Sequence, residues 1–169
     1  MAWRKRRDPN APPIQENPRG YLLRVLSSRD YSRAQLEKKL LERGHTKEAI
    51  AAALQDFVEA GLYKEHAYTS ARIRAFLRKG YGAGWIRHKL RAEKVSFTDE
   101  QMDEAYEHLG LTIHDQIRHL AKKSLNFTRI KKNLKTNPKL TRAKIIHTLI
   151  AKGHSPRRVT LVVDEVLKD

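Results

Sequence analysis

Apolar side chains recur along this chain at helical spacing, and polar or glycine-containing turns interrupt them. The clearest apolar face consists of Ile50, Ala53, Leu54, Phe57 and Val58. These residues follow the i, i+3, i+4, i+7, i+8 pattern of one buried helix side. Neither the alternation typical of strands nor an Asn-Gly hairpin is present in the sequence. The pattern predicts an all-α fold.

One short helix-turn-helix signature occurs twice in the sequence, about 109 residues apart. The segments Ser32–Leu36 and Gly44–Thr46 return near the C-terminus as Thr141–Ile145 and Gly153–Ser155. In the first copy, a serine with a glutamine three residues later predicts a capping box at the helix start. The glycine of each copy predicts the end of the same helix.

A looser copy of the signature lies between these two. Ile86 and Leu90 stand where the first copy has Leu36 and Leu40, and a glycine-rich turn precedes them. Self-similarity of this kind marks a modular array, which presents a long surface to partners rather than a closed catalytic pocket.

The copies predict four segments along the chain. Residues 1–17 form a disordered basic arm, and three-helix repeats follow at 18–63, 64–110 and 111–169, the last strongly basic. Because a unit of about fifty residues is marginal by itself, neighbouring repeats are expected to pack on one another. The predicted architecture is an elongated, curved array of three tandem repeats, and a monomer is expected.

Composition narrows the class of protein further. The absence of cysteine excludes disulfides and thiolate metal sites, so a reducing cytoplasm is the expected compartment. No apolar run approaches the roughly 18 residues that a membrane span requires, so no membrane partner is expected. The basic start of the chain lacks the apolar stretch of a secretory signal.

The net charge of +16 predicts attraction to polyanions. From residue 111 onward the chain has 14 basic and 4 acidic residues, whereas the first 110 residues have 21 and 15. The C-terminal third is therefore the main electropositive region.

Two groups of basic side chains are candidate contacts to a protein partner or nucleic acid. The first flanks the glycine-rich turn: Arg74, Arg78, Lys79 and Arg87. The second lies in the C-terminal third: Arg129, Lys131, Lys132, Lys135, Lys139, Arg142 and Lys144. The second group contains no acid and predicts polyanion contact. For the first group, partner contact and a merely solvated face remain equal alternatives.

The glycine-rich segment 80–84 resembles a phosphate-binding loop only superficially. It follows a helix and lacks the Gly-Lys-Ser/Thr ending, which favours an ordinary turn with positive φ. Tyr81 and Trp85 could stack on unpaired bases, although packing between repeats is the favoured interpretation.

No catalytic, cofactor or metal site is predicted. The pairs Asp115 with His119 and Glu104 with His108 share helix faces, but each supplies only two ligands. The sequence contains no nucleophile elbow and no carboxylate pair in an apolar context. A non-enzymatic binding protein is the expectation.

The order and spacing of these motifs resemble the RecX family. The resemblance is carried by Arg29–Arg33 with Leu36, Leu40, Gly44 and Gly61-Leu62, and by Lys79–Gly82 with Ile86 and Leu90. Two positions depart from the family pattern. After Gly61 the family has paired aspartates and then an Arg-Phe pair. This chain has Lys64-Glu65 and Ala67-Tyr68 at those positions, so the resemblance does not carry over any contact made through that arginine. Lys94 replaces a helix-ending glycine, and must adopt a left-handed conformation unless the helix ends differently.

The resemblance implies a regulator of the RecA recombinase in homologous recombination and DNA repair. Such proteins bind the RecA–single-stranded DNA filament and inhibit its ATP hydrolysis and strand exchange, or alter filament growth. The expected partners are the RecA filament and single-stranded DNA, with double-stranded DNA left open. The alternative is a sequence-independent DNA-binding protein that acts without a recombinase.

Overall fold

The computed structural model describes residues 17–126 and 137–168. These ranges contain nine α-helices and no strand, which confirms the all-α prediction. The helices are α1 (Pro18–Leu26), α2 (Arg33–Leu41), α3 (Lys47–Glu59), α4 (Glu65–Arg78), α5 (Ala83–Ala92), α6 (Asp99–His108), α7 (Ile113–Leu125), α8 (Pro138–Ala151) and α9 (Pro156–Val166). None of the helices in these ranges is both long and apolar enough to cross a bilayer.

Side-chain caps fix the starts of several helices. The predicted capping box at the start of α2 forms, with the Gln35 amide N–H donating to Ser32 Oγ at 3.2 Å. A second capping box forms at the start of α6, where the Gln101 amide N–H donates to Thr98 Oγ1 at 3.3 Å. At the start of α9, Ser155 is the N-cap and proline follows it, but the serine side chain makes no capping hydrogen bond. Local sequence therefore determines the starts of α2 and α6, because the Ser32 and Thr98 side chains satisfy amides left unpaired in the first turn.

The second helix of each group of three ends in the same turn. Residues Gly44, Lys94 and Gly153 occupy equivalent positions with φ of 84°, 56° and 86°. In all three turns the next residue donates its backbone N–H to a leucine carbonyl five positions earlier, at 2.9–3.3 Å. Lys94 therefore takes the left-handed conformation, and α5 ends as the glycine-terminated helices do.

The structure divides into two compact units between Lys64 and Glu65. In the first unit, α1, α2 and α3 form one triplet around a core that includes Leu22, Leu36, Leu40 and Phe57. These four side chains are at most 1% exposed. The apolar face predicted for α3 lies in this core except for Val58, which is 42% exposed.

The second unit contains two triplets, α4–α6 and α7–α9, each with its own core. The core of α4–α6 is centred on Ile73, Leu77, Ile86 and Leu90. The core of α7–α9 combines Ile117, Ile145 and Leu149 with four valines of α9. The helical spacing of those valines thus outweighs their strand propensity, because it places them on one buried side.

Candidate partner-binding surface

The α4–α6 and α7–α9 triplets are joined by direct backbone contact, and we call this junction the seam. At the seam the backbone N–H of Gly82 donates to Lys152 O at 2.8 Å, and that of Gly84 donates to Gly153 O at 3.1 Å. The turn after α8 therefore pairs with the first turn of α5. The donors are amides at a helix start, which have no partner within their own helix.

Glycine is required on both sides of the seam because the two backbones approach closely. A Cβ on Gly82 would lie 2.5 Å from the carbonyl oxygen of Gly153. A Cβ on Gly153 would overlap the backbone nitrogen of Trp85. The glycine-rich segment 80–84, predicted to be a turn, thus provides a docking surface for the next triplet.

His154, which follows α8 in the α7–α9 triplet, makes a further contact across the seam. The residue is 4% exposed, and its ring Nε2 lies 3.1 Å from the carbonyl oxygen of Gly80. Burial lowers the pKa of the imidazole, the hydrogen bond to Gly80 opposes that effect, and the charge of Lys152 adds to the lowering. The neutral form of the His154 imidazole is therefore favoured at the seam.

A second polar contact crosses the same seam through Gln116 of α7, which is 5% exposed. Its Nε2 donates to Leu77 O at 2.7 Å, and its Oε1 accepts from Tyr106 Oη at 2.9 Å. Burial raises the pKa of Tyr106 to about 12, with a smaller lowering from Arg158 and a raising effect from Asp103. Each polar group of the Gln116 amide thus has a partner, as burial requires.

The two aromatic residues near the glycine-rich turn pack against each other. The rings of Tyr81 and Trp85 stack at 3.7 Å, and Phe76 meets Trp85 edge-on at 5.1 Å. On Tyr81, Lys152 Nζ lies 5.5 Å from the ring centroid. These ring contacts lie within the α4–α6 triplet, and the contact of Lys152 with Tyr81 crosses to the next triplet.

The first group of predicted cations is divided among three environments. Arg78 and Lys79 are exposed at the end of α4 and face the seam. Arg74 lines a separate groove between α4 and α6, of about 300 Å³. Arg87 is held internally: its guanidinium bonds Asp99 and the Phe97 carbonyl and lies 4.7 Å from the Phe97 ring centroid.

The second group lies partly outside the described residues, where Arg129, Lys131, Lys132 and Lys135 fall. Of the rest, Lys139 and Lys144 are exposed on α8. Arg142 makes two hydrogen bonds to the Asp164 carboxylate, at 2.6 and 2.8 Å. These bonds lower the pKa of Asp164 and raise that of Arg142. Arg142 thus links α8 to α9.

The structure also brings two of the predicted cations together with two that were not predicted from the sequence. A cavity of about 550 Å³ at the seam is lined by Arg78, Lys79, Lys123 and Lys152. We call it the seam cavity. The last two lysines lie on α7 and just after α8, far from the first two in sequence. The positive charge of these two lysines is evident from the sequence, but only the packing of α7 against α8 places them close to the end of α4.

No cluster of three metal-ligating side chains occurs within residues 17–126 and 137–168. The pair Asp115 and His119, singled out by helical spacing, lines the seam cavity. His114 instead contacts Glu165 of α9 at 2.8 Å, and Asp115 at 3.9 Å. The first contact is a surface pair between α7 and α9, and the second lies within α7.

Comparison with known proteins gives consistent matches. Residues 19–57 match the family model described as RecX, first three-helix domain. "Regulatory protein RecX" of Chromohalobacter salexigens is 38% identical over 93 residues, which are 55% of this chain and 60% of that protein. The protein of the same name from Pseudomonas syringae pv. tomato is 30% identical over 96 residues, 57% of this chain and 61% of the relative. The matched part thus spans about 60% of the length of these relatives.

A solved structure titled "Crystal structure of regulatory protein RecX" shares the fold. It superimposes with a TM-score of 0.68 at 20% identity, covering 90% of this chain and 72% of the other. The fold and the repeated turns define an all-helical protein of tandem three-helix units. Together with the sequence matches, they confirm the resemblance to the RecX family.

Proposed function

We propose that this chain binds the RecA–single-stranded DNA filament and inhibits its ATPase and strand-exchange activities. The observation that carries the proposal is the likeness to regulatory RecX proteins, in sequence over 55% of the chain and in fold over 90% of it. The proposal assigns the chain no chemical step, and it implies a cytoplasmic location, where RecA filaments form.

The charge distribution supports contact with a filament that encloses a phosphate backbone. Arg78, Lys79 and Lys144 form no ion pair with any residue that the structure describes. They are therefore available to an anionic partner, whereas Arg87 and Arg142 are engaged internally. Contacts at several positions along an array add avidity even where each contact is weak.

The proposal is tested by single-strand-dependent ATP hydrolysis of the cognate RecA. The protein is titrated at amounts well below those of RecA, with the coverage of the DNA measured in parallel. We expect strong inhibition while most of the DNA remains uncovered, because a few bound molecules suffice to block a cooperative filament. Inhibition only at saturation of the DNA would contradict regulation of the recombinase.

The second candidate, a sequence-independent DNA-binding protein, is favoured by the same cations, which form no ion pair with the described residues. It predicts inhibition by masking of the DNA, and an affinity for DNA that falls steeply and linearly on a logarithmic salt scale. A matched test reverses the charge of Lys131 and Lys132. The proposal expects the folded double variant to lose inhibition, and unchanged inhibition would exclude these lysines from the contact.

A further inference from the structure

The floor of the seam cavity is aliphatic. Leu77 and Leu149 are each 1% exposed, and the half-buried Leu120 packs against Gly80, where an added Cβ would lie 2.8 Å from Leu120 Cδ2. The floor is held in place by the backbone pairing of the seam and by Gln116. The volume of about 550 Å³ is in the range of pockets that hold a ligand.

The rim of the cavity carries an excess of positive charge. Arg78, Lys79, Lys123 and Lys152 face a single described carboxylate, Asp115. Of these four cations, the first three form no ion pair with any described residue, and Lys152 lies over the Tyr81 ring. The Asp115 carboxylate already accepts a hydrogen bond from Thr112 Oγ1 at 2.6 Å.

The helix ends around the cavity do not offset this charge. Carbonyl groups at a helix C-terminus normally attract cations. Here Leu77 O accepts from Gln116, and Lys152 O accepts from Gly82. Gly80 O is bonded to the ring of His154. Because these carbonyl groups already accept hydrogen bonds at the seam, the rim cations remain available to an external anion.

The lining favours a peptide over nucleic acid as the occupant. Single-stranded nucleic acids bind through stacking of bases on aromatic rings in addition to backbone charge. The described residues that line the cavity include no phenylalanine, tyrosine or tryptophan, and the imidazole of His119 is the single ring among them. Tyr81 and Trp85 stack on each other instead. An aliphatic floor with a cationic rim complements an aliphatic side chain flanked by carboxylates.

We infer that the seam cavity binds a short acidic segment of a partner protein, with an aliphatic side chain on the leucine floor and its carboxylates at Arg78, Lys79 and Lys123. The inference rests on the proposed function for the identity of the partner, whose filament would present this segment. The inference specifies the chemistry of one contact between this chain and that partner.

A direct binding measurement tests the inference in the absence of recombinase and DNA. A short fluorescein-labelled peptide of aspartate, glutamate and leucine is titrated with the full chain, and fluorescence anisotropy is recorded. The double variant Lys79→Glu/Lys123→Glu is expected to bind the peptide at least about tenfold more weakly. The matched control is Lys89→Glu/Arg91→Glu, which makes the same charge change at exposed positions of α5 and is expected to change affinity less than about twofold.

Two further probes separate this site from general attraction to anions. The same peptide with serine in place of leucine is expected to bind the unaltered protein several-fold more weakly, because the leucine floor is then unused. Equal binding of the two peptides, or equal losses in both double variants, would overturn the inference. Binding of an oligothymidylate that is tighter than that of the peptide and equally lost in Lys79→Glu/Lys123→Glu would overturn it in favour of nucleic acid.

The peptide comparison also protects the test against misfolding, because leucine and serine peptides are compared on the unaltered chain. Its outcome is separable from that of the ATPase experiment. Failure of peptide binding with intact inhibition would remove this contact alone. Peptide binding without inhibition would remove the proposed function and leave a peptide site whose partner is not RecA.

Discussion

The turns at Gly44–His45 and Gly153–His154 have the same local sequence and backbone but different surroundings. Around Gly44 no heavy atom lies within 4 Å of the position a Cβ would occupy, whereas at Gly153 the backbone of Trp85 fills that position. His45 Nε2 is buried without a hydrogen-bond partner in the described chain, and the Nε2 of His154 is bonded to Gly80 O.

This difference separates two reasons for glycine. At Gly44 the residue is needed only for its positive φ, which L-residues adopt at a cost of about 1–2 kcal/mol. At Gly153 it is needed for the conformation and also for the space. The third version of the turn, at Lys94, shows that the conformational cost by itself is tolerated.

The largest difference in the free energy of unfolding is expected between the variants Gly153→Ala and Gly44→Ala. The first should lower the free energy of unfolding by about 3 kcal/mol or more, because a methyl group would collide with backbone. The second should cost about 1 kcal/mol, for the positive φ alone. Urea unfolding of the full chain measures both. Equal losses would show that the seam adapts to the methyl group and does not require glycine.

A smaller contrast is expected between His154→Ala and His45→Ala. Removal of His154 leaves the Gly80 carbonyl unpaired and opens a void, so a loss of about 2 kcal/mol is expected. His45 Nε2 has no hydrogen-bond partner among the described residues, and replacement of His45 should change stability by less than about 0.5 kcal/mol. Thermal and urea unfolding compare the two variants. A larger loss at His45 would mean that this histidine has a partner the turn does not reveal.

His154 should also make the stability of the second unit depend on pH. Because its pKa is lowered in the folded chain, the unfolded chain takes up the proton first as pH falls. The contribution to stability is complete above the unfolded pKa of about 6.5 and is lost as pH falls from there towards the folded pKa.

Unfolding by urea between pH 7.5 and pH 5 measures this effect, with His154→Gln as the reference, because glutamine does not titrate. The unaltered chain should lose more stability over this range than His154→Gln does. Parallel pH curves for the two proteins would show that His154 has the same pKa in both states, despite its burial.

The smallest change in the free energy of unfolding is expected at Lys94, where the substitution should stabilise the protein. Its side chain is exposed and its φ is 56°, so Lys94→Gly removes strain without removing buried contacts. After the entropy that glycine loses on folding, a gain of about 0.5–1 kcal/mol should remain. Differential scanning calorimetry detects this as a higher Tm. A lower Tm would indicate that the lysine side chain contributes a contact that outweighs the strain.

Local features of the fold could be predicted from the sequence. The capping boxes at Ser32 and Thr98, the apolar face of α3 and the helix ends at Gly44 and Gly153 all depend on residues three to five positions apart. Spacing within one helix determines such features, because neighbours at i+3 and i+4 meet on the same side of the helix.

The roles of individual cations could not be predicted in the same way. Arg87 and Arg142 belong to basic runs in the sequence, yet their partners Asp99 and Asp164 stand 12 and 22 positions away. Lys123 and Lys152 meet Arg78 and Lys79 only because α7 and α8 pack beside the end of α4. Whether a charge is paired or available depends on such distant neighbours, which spacing does not encode.

The sequence by itself thus determined the helices, their caps and the repetition of one turn, because backbone hydrogen bonds and side-chain caps act over a few residues. Only the tertiary structure decided that the turn at Gly153 docks on another backbone segment, whereas no described atom lies within 4 Å of the Cβ position at Gly44. The reason is that docking depends on the complementary backbone of Gly82–Trp85, which another part of the chain supplies to Gly153.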